Sequence, residues 1–509
     1  MEEHGGLARA GQDDVFVLGP PEHIFTAIDK FSRNLWNRCG LKLQRSKTLV
    51  YAPGNLQVDI PPDLTLAGDM VDGQFKPGLD VYGCPLGSDE WISWHLDTKI
   101  SELAQSKSRA CTVLDNDKQA LWVLLSLSFS KKLDYLASLV YPSIFHPKAK
   151  VFDSLLHSYL QHTTGLLIPE EDQGLGYECC LNPPVATLSS RSFQSLLSAT
   201  PRSKGGLGLR PLSVVTDPAF IGSIEMSLPF FTGPDGLLPA LETVVGRPDL
   251  GGDERWAGLI NRGSRTGVEF LSAWQRINSE ASECCNFLDE PLEGILGDSA
   301  EGLGNGSTDG SSRSDLVKAL ESLHSEVIHQ SLNMHVDQSA RPVRMYVQRD
   351  KVSQAWLSAL PGPLTIIPSR EFSEAMAWHL FLPSPACKPH VGVMIKGKPL
   401  DPFGEVLMCA QLPFDTWRVR HDRVKFLLHT LAMEAGVIVD SEPYGLFSHL
   451  IPSAAQSAGG HLHHKRERQG LIPDLMLSFP SENGNTSAHL AELKILSAGA
   501  TFYHSKDVS

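Results

Sequence analysis

The segment that most restricts the fold lies near the C-terminus, between His421 and Leu496. Val424, Leu427, Leu428, Leu431, Ala432 and Ala435 recur at i, i+3 and i+4, the spacing of an amphipathic helix. Gly436 is a natural stop, because glycine takes the left-handed conformation at a helix C-terminus without steric cost. Val437-Ile438-Val439 then reads as a strand that leads to Glu442-Pro443. Two more strands, 472–479 and 489–496, flank Asn483-Gly484, the strongest short-range hairpin signal. For a hairpin centred there, paired positions sum to about 967, which puts Asp474 opposite residue 493, give or take one. Side chains alternate along a strand, so Glu492 and Lys494 share a face. The register that also brings Asp474 to that face converges two carboxylates and an ammonium. Two carboxylates suit Mg²⁺, which keeps several waters and takes few protein ligands. Together with the lysine, such an ion activates water and stabilises charge on a phosphate, which is the chemistry of phosphodiester hydrolysis.

The rest of the chain divides by pattern. Residues 1–95 alternate short apolar runs with Pro/Gly breaks and read as mixed α/β. Val15 to Leu18 is a strand stopped by Gly19-Pro20-Pro21, and Ile24, Phe25, Ile28, Phe31 and Leu35 have helical spacing. From 96 to 285 helical patterns dominate, interrupted by Gly205-Gly206-Leu207-Gly208-Leu209. Residues 286–315 are rich in Gly and Ser and read as a flexible acidic linker. Residues 316–400 are again helical, with Trp356, Leu357, Leu360, Phe372, Met376 and Leu380 as expected core, and 401–509 returns to α/β. The fold class expected is therefore α+β and multidomain.

Composition limits the function classes. With 42% apolar and 20% charged residues the chain is globular rather than disordered. No window holds the 18 or so uncharged apolar residues of a membrane helix, and residues 1–14 lack a secretory pattern, so a soluble protein is expected. Nine cysteines, an odd number with no Cys-x-x-Cys pair, fit a reducing interior. The net charge of −14 speaks against nucleic acid until it is located. Residues 286–315 hold seven acidic residues against Arg313, a net −6, which leaves −8 over the other 479 residues. Basic residues gather instead at 418–425 and 465–468, beside the hairpin.

Pro473-Asp474 and Glu492-Leu493-Lys494, on neighbouring strands after a helix and an acidic strand, resemble the PD-(D/E)xK restriction-like endonuclease fold. That resemblance implies Asp474 and Glu492 as catalytic metal ligands, Lys494 as the group that positions the nucleophile, and Glu442 as an auxiliary acid. Gly11-Gln12-Asp13-Asp14, followed by Val15 to Gly19, resembles the catalytic Asp-Asp turn of reverse transcriptases, with Gly11 in place of the usual aromatic. It implies Asp13 and Asp14 as catalytic ligands of Mg²⁺. Gly40-Leu41-Lys42-Leu43 through Lys47-Thr48 resembles the next palm motif, with Lys47 auxiliary, and Tyr82 to Gly87 resembles the primer grip. Pro201 with Gly205 to Arg210, Trp356 to Pro361, Asp401 to Gly404 with Cys409, and Arg420-His421-Asp422 continue in the order of a non-LTR retrotransposon polyprotein. The resemblance covers nearly the whole chain. It implies a partial polymerase palm, a helical thumb and middle region, and a restriction-endonuclease-like C-terminal domain.

Departures from the family shape the expected activity. The chain starts about a dozen residues before Asp13 and ends fifteen residues after Lys494, so it reads as truncated at both ends, with Tyr503 in the last segment. Polymerisation by this chain alone is not expected. In the knuckle region only Cys387, His390 and Cys409 are zinc-ligand types, and Val391, Met394 and Val406 stand where others would be; structural zinc takes four ligands, so none is predicted. His461, His463 and His464 beside Lys465, Arg466 and Arg468 read as a polar loop. The resulting expectation is a retroelement reverse transcriptase/endonuclease fragment. The resemblance implies a parent protein that makes DNA from an RNA template, and any residual activity expected of the fragment is Mg²⁺-dependent nicking of nuclear DNA. The alternatives are an inactive nucleic-acid-binding relic, using Arg418, Arg420, Arg423, Lys425 and Arg468, and a helical scaffold.

Overall fold

The computed structural model describes residues 7–11, 14–52, 58–168, 192–232, 265–288, 311–334, 354–363, 365–409, 416–443, 474–480 and 486–491. It is mixed α and β, mostly helical with several small sheets, in keeping with a multidomain α+β class. Two compact units emerge: Met1–Asp337 with Met345–Leu380, and Gln338–Arg344 with Phe381–Ser509. No helix among the described residues is long and apolar enough to cross a membrane.

The first unit begins with a hairpin, β1 (Leu7–Gly11) and β2 (Asp14–Leu18), whose register closes at Gly11 and Asp14. Helix α1 (Pro21–Cys39) starts on a proline, whose missing N–H is no loss at a first turn, and ends at Gly40 with φ +65°. Arg45 ties this region together by pairing with Asp29 and Asp63. Strands β3 (Leu49–Val50) and β4 (Thr65–Leu66) pair in parallel. They are followed by an antiparallel meander of β5 (Gly68–Val71), β6 (Gln74–Val81) and β7 (Cys84–Gly87). Its turns, Asp72-Gly73 and Tyr82-Gly83, have positive φ at both residues, the hairpin geometry that matches strand twist. Trp91 of α2 (Asp89–Val113) fills the space beside Gly78, where any Cβ would overlap its ring, and its Nε1 donates to Asp69 (3.0 Å).

Helices build the rest of this unit: α3 (Lys118–Leu127), α4 (Pro142–Thr164), α5 (Phe193–Ala199), α6 (Leu212–Thr232), α7 (Arg265–Leu288), α8 (Ser311–Met334) and α9 (Ser369–His379). Helix α4 packs against α2, α3, α6, α7 and α9, and its Phe145, Phe152 and Tyr159 are fully buried. Ser88, Asp117 and Ser192 cap α2, α3 and α5 by accepting backbone N–H bonds, which accounts for where those helices start. Residues 354–379 dock on α3 and α4 through specific polar contacts. Trp122 Nε1 donates to the Leu357 carbonyl (2.7 Å), and the buried Gln119 amide bonds Ala359, Thr365 and Ile367 backbones. Helix α8 packs on α6 and α7. The helices on either side of the acidic segment belong to one compact unit, which runs to Leu380. Within that segment 286–288 finish α7 and 311–315 start α8, while 289–310 lie outside the described residues. Leu357, Phe372, Met376 and Leu380 are core as expected, and Trp356 packs edge-on against Phe372. Leu360 is not core; it is 61% exposed in a turn closed by Thr365 Oγ1 donating to its carbonyl.

The glycine-rich stretch 205–209 has a packing reason. Gly205 and Gly208 have positive φ, and a Cβ on Gly206 would meet the Thr200 and Leu197 carbonyls. The loop lies against α5, with the N–H groups of Leu207, Gly208 and Leu209 donating to Leu197, Thr200 and Ser198.

The second unit opens with a small hairpin, β8 (Met394–Ile395) and β9 (Lys398–Pro399). Asp401 then caps α10 (Glu405–Cys409), its carboxylate accepting from the N–H groups of Phe403, Glu405 and Val406. Helix α11 (Thr416–Glu434) ends at Gly436, φ +79°, with Gly436 and Val437 N–H bonding back to Met433 and Ala432. Strands β10 (Ile438–Ser441), β11 (Leu475–Pro480) and β12 (Thr486–Ala491) form an antiparallel sheet with β11 in the centre. Helix, strand and hairpin occur in the order the sequence pattern requires.

Candidate functional site

The β11–β12 ladder pairs Leu475 with Ala491 and Pro480 with Thr486, so paired positions sum to 966, one less than the turn-centred expectation. Asp474 and Glu492 are the next residues along the two strands; Asp474 is described, and Glu492 and Lys494 lie outside the described residues. On the other side of the central strand, Asp440 pairs with Met476 and Ser441 with Leu475. Glu442 therefore follows opposite Asp474, and its N–H donates to the Asp474 carbonyl (3.1 Å). Glu442 itself has φ +51°, a conformation that ends the strand. The two acids that the sequence pattern assigned to separate strands are thus neighbours at one end of the sheet.

Helix α11 supplies a basic side chain to each. His421 Nε2 is 3.3 Å from Asp474 Oδ2, and its Nδ1 is 3.2 Å from Asp422 Oδ1. One turn later Lys425 pairs with Glu442 and lies 3.4 Å from Asp422 Oδ1. The Lys425 and Asp474 side chains are largely buried, Glu442 and Asp422 less so. Partial burial by itself pushes the Lys425 ammonium down, but its bonds to Glu442 and Asp422 outweigh that and hold it above the ordinary lysine value. The bond to His421, then the charges of Lys425 and Arg418, hold Asp422 below the usual carboxylate value.

The other helix cations expected to meet nucleic acid are placed unevenly. Arg418 and Arg423 are exposed, with Arg418 Nε 3.7 Å from Asp422, and Arg420 is half-buried. Lys425 faces the acids of its own unit. Arg468 lies outside the described residues. His421 and Lys425 as partners of the acids were the feature that pattern reading missed. Their signal is a polar i, i+4 pair beside the apolar Val424 and Leu428 on the same helix.

In the first unit, Asp13 and the side chain of Asp14 lie outside the described residues; the described hairpin pairs Gly11 with Asp14, the first residue of β2. Phe16 of β2 packs edge-on against Tyr82 (5.2 Å), so this hairpin sits beside the Tyr82-Gly83 turn, whose Gly83 carbonyl accepts from Tyr135 (3.0 Å). Lys47 is exposed at the end of a short 3₁₀ turn. The β1–β2 pair, the β3–β4 pair and the β5–β7 meander are separate sheets.

In the knuckle region Cys387 is buried against Gly404, His390 is exposed in a 3₁₀ turn, and the Cys409 side chain lies outside the described residues. His461, His463, His464 and Tyr503 also lie outside them. Among the described residues no three His, Cys, Asp or Glu side chains converge as a metal-binding group. Asp474 and Glu442 nevertheless offer the hard oxygen donors that Mg²⁺ prefers. No protein-family model, curated protein or solved structure matches the chain.

Proposed function

We propose that the chain is a retroelement reverse transcriptase/endonuclease segment whose C-terminal unit nicks DNA with Mg²⁺. The observation that carries the reading is the adjacency of Glu442 and Asp474 at one end of a helix–strand–hairpin unit, with Glu492-Leu493-Lys494 next in sequence after the partner strand. Asp474 and Glu492 would hold the ion, with Glu442 auxiliary and Lys494 beside them. When bound, Mg²⁺ supplies a Lewis acid that stabilises charge on the scissile phosphate and lowers the pKa of a water. The chain's own groups orient that water and hold the phosphate through Lys494 and the exposed Arg418 and Arg423. In the same reading Asp13 and Asp14 belong to the palm turn of an RNA-directed DNA polymerase, with Lys47 nearby in sequence. The partners are DNA and an RNA template, and a chromosomal substrate places the protein in the nucleus.

Purified protein incubated with supercoiled plasmid and Mg²⁺ is expected to convert it to the open circle. The Asp474→Ala/Lys494→Ala double variant is expected to lose at least a hundredfold in rate. Equal nicking by the two proteins overturns the reading. A second reading, an inactive nucleic-acid-binding relic, is favoured by one observation: Asp474 and Glu442 already meet basic side chains of the protein, His421 and Lys425. It predicts salt-sensitive DNA binding with no Mg²⁺-dependent nicking in either protein.

A further inference from the structure

We propose that His421 and Lys425 are positioning residues that hold the Asp474 and Glu442 carboxylates in place, and that Lys425 does this instead of contacting a nucleic-acid phosphate. This rests on the phosphodiester-cleaving reading of the site and assigns two residues to it that the family-like motif leaves out. Five residues close a ring. Asp474 meets His421, His421 meets Asp422, Asp422 meets Lys425, Lys425 meets Glu442, and the Glu442 N–H returns to the Asp474 carbonyl. Three secondary-structure segments meet there: one helical turn supplies both basic side chains and the ends of two paired strands supply both outer acids. The i, i+4 spacing of His421 and Lys425 puts the two on one face of α11, so a single helix orientation sets both carboxylates.

Charge and burial separate this role from a phosphate contact. The Lys425 ammonium is already engaged by two carboxylates, Glu442 and Asp422. The Lys425 side chain is 12% exposed, whereas that of Arg418, one helical turn before Asp422, is 61% exposed and open to a polyanion. Partners of this kind fix ligand orientation, and their loss in metal sites weakens metal binding by about ten- to a hundredfold.

The test uses the full chain with Mn²⁺ as probe, free ion being counted by electron paramagnetic resonance, and nicking measured in parallel. His421→Ala and Lys425→Met are each expected to weaken Mn²⁺ binding about tenfold or more. His421→Gln and Lys425→Arg, which keep a donor, are expected to recover most of it. A merely structural role would not give that split between the two variants of each residue at equal helix content by circular dichroism. Lys425→Met is also expected to leave the salt dependence of duplex DNA binding unchanged, whereas loss of a phosphate contact lowers that slope by about one. Wild-type Mn²⁺ affinity in both His421→Ala and Lys425→Met, with loss in Asp474→Asn, overturns the positioning role alone. A slope lowered by one in Lys425→Met also overturns it, by assigning the lysine to phosphate. Wild-type Mn²⁺ affinity in Asp474→Asn and Glu442→Gln overturns the cleavage reading beneath it.

Discussion

The helical core of the first unit and helix α11 of the second use the same residue types to different ends. Around α4, apolar side chains are sealed: Trp122, Phe145, Phe152 and Phe372 are completely buried, and the Trp122 indole and the Gln119 amide are bound to backbone. Even ionised groups serve packing there. Asp217, largely buried, accepts from Arg276 at two 2.7 Å contacts and meets His146 at 3.0 Å, which joins α4, α6 and α7. Burial opposes its ionisation, but the bonds to Arg276 and His146 prevail and hold its carboxyl below the ordinary value. On α11 the proportions reverse. Phe426, Leu427 and Leu431 are half or more exposed, while His421 and Lys425 are the side chains turned toward the sheet. The first unit's large side chains are buried against one another, whereas on α11 the contacts to the strands run through His421 and Lys425.

The largest expected effect breaks the sealed side of that contrast. Trp122→Ala empties a fully buried ring and strands the Leu357 carbonyl, and such substitutions cost about 3–5 kcal/mol. Amide hydrogen exchange in α3 and α4 is expected to accelerate accordingly. Phe426→Ala on α11 is expected to change stability by no more than about 0.5 kcal/mol, since the ring is 71% exposed. A comparable loss from Phe426→Ala would mean that α11 is covered in solution and would remove the contrast.

A pH prediction follows from His379, at the end of α9. Burial, with some help from Arg202, pushes its imidazole down to about 4, although the Gly205 and Gly206 backbone partly offsets this. A histidine depressed in the folded state takes up its proton in the unfolded chain first. The stability it secures is therefore complete above about pH 6.5 and is lost as pH falls from there towards 4, by about 3 kcal/mol in all. Urea midpoints of the first unit are expected to fall across that window in the wild type and to fall less in His379→Gln. Parallel curves for the two proteins would remove His379 as the cause.

What was legible in the sequence follows the range of the interactions. Helix α11, its stop at Gly436 and the 475–491 hairpin depend on neighbours in sequence, and spacing recovers them, the register to within one residue. Strand β10 begins one residue later than Val437 because Val437 N–H is taken by the helix end, bonding Ala432. The β5–β7 meander escaped because Pro77, Gly78 and Gly87 look like breaks; they are tolerated where Trp91 covers the strands and two positive-φ turns set the pairing. The unit boundary at Leu380 and the His421–Asp474 contact, 53 residues apart, depend on tertiary docking, which local pattern does not encode.

The smallest effect tests whether α11 is set by its own stop signal or by the charges it carries. Gly436 has φ +79° with nothing within 4 Å of where a Cβ would stand, so Gly436→Ala meets no steric neighbour and pays only the left-handed backbone cost, about 1 kcal/mol. If the ring of charges orients the helix, that loss frays its last turn and leaves the His421 turn, four helical turns away, in place. Hydrogen exchange is then expected to quicken at 432–437 and to stay unchanged at 421–425, with Mn²⁺ affinity at the wild-type value. Quickened exchange at 421–425 as well would mean that the helix moves as one rod from its C-terminus, and the charges would follow the fold instead of fixing it.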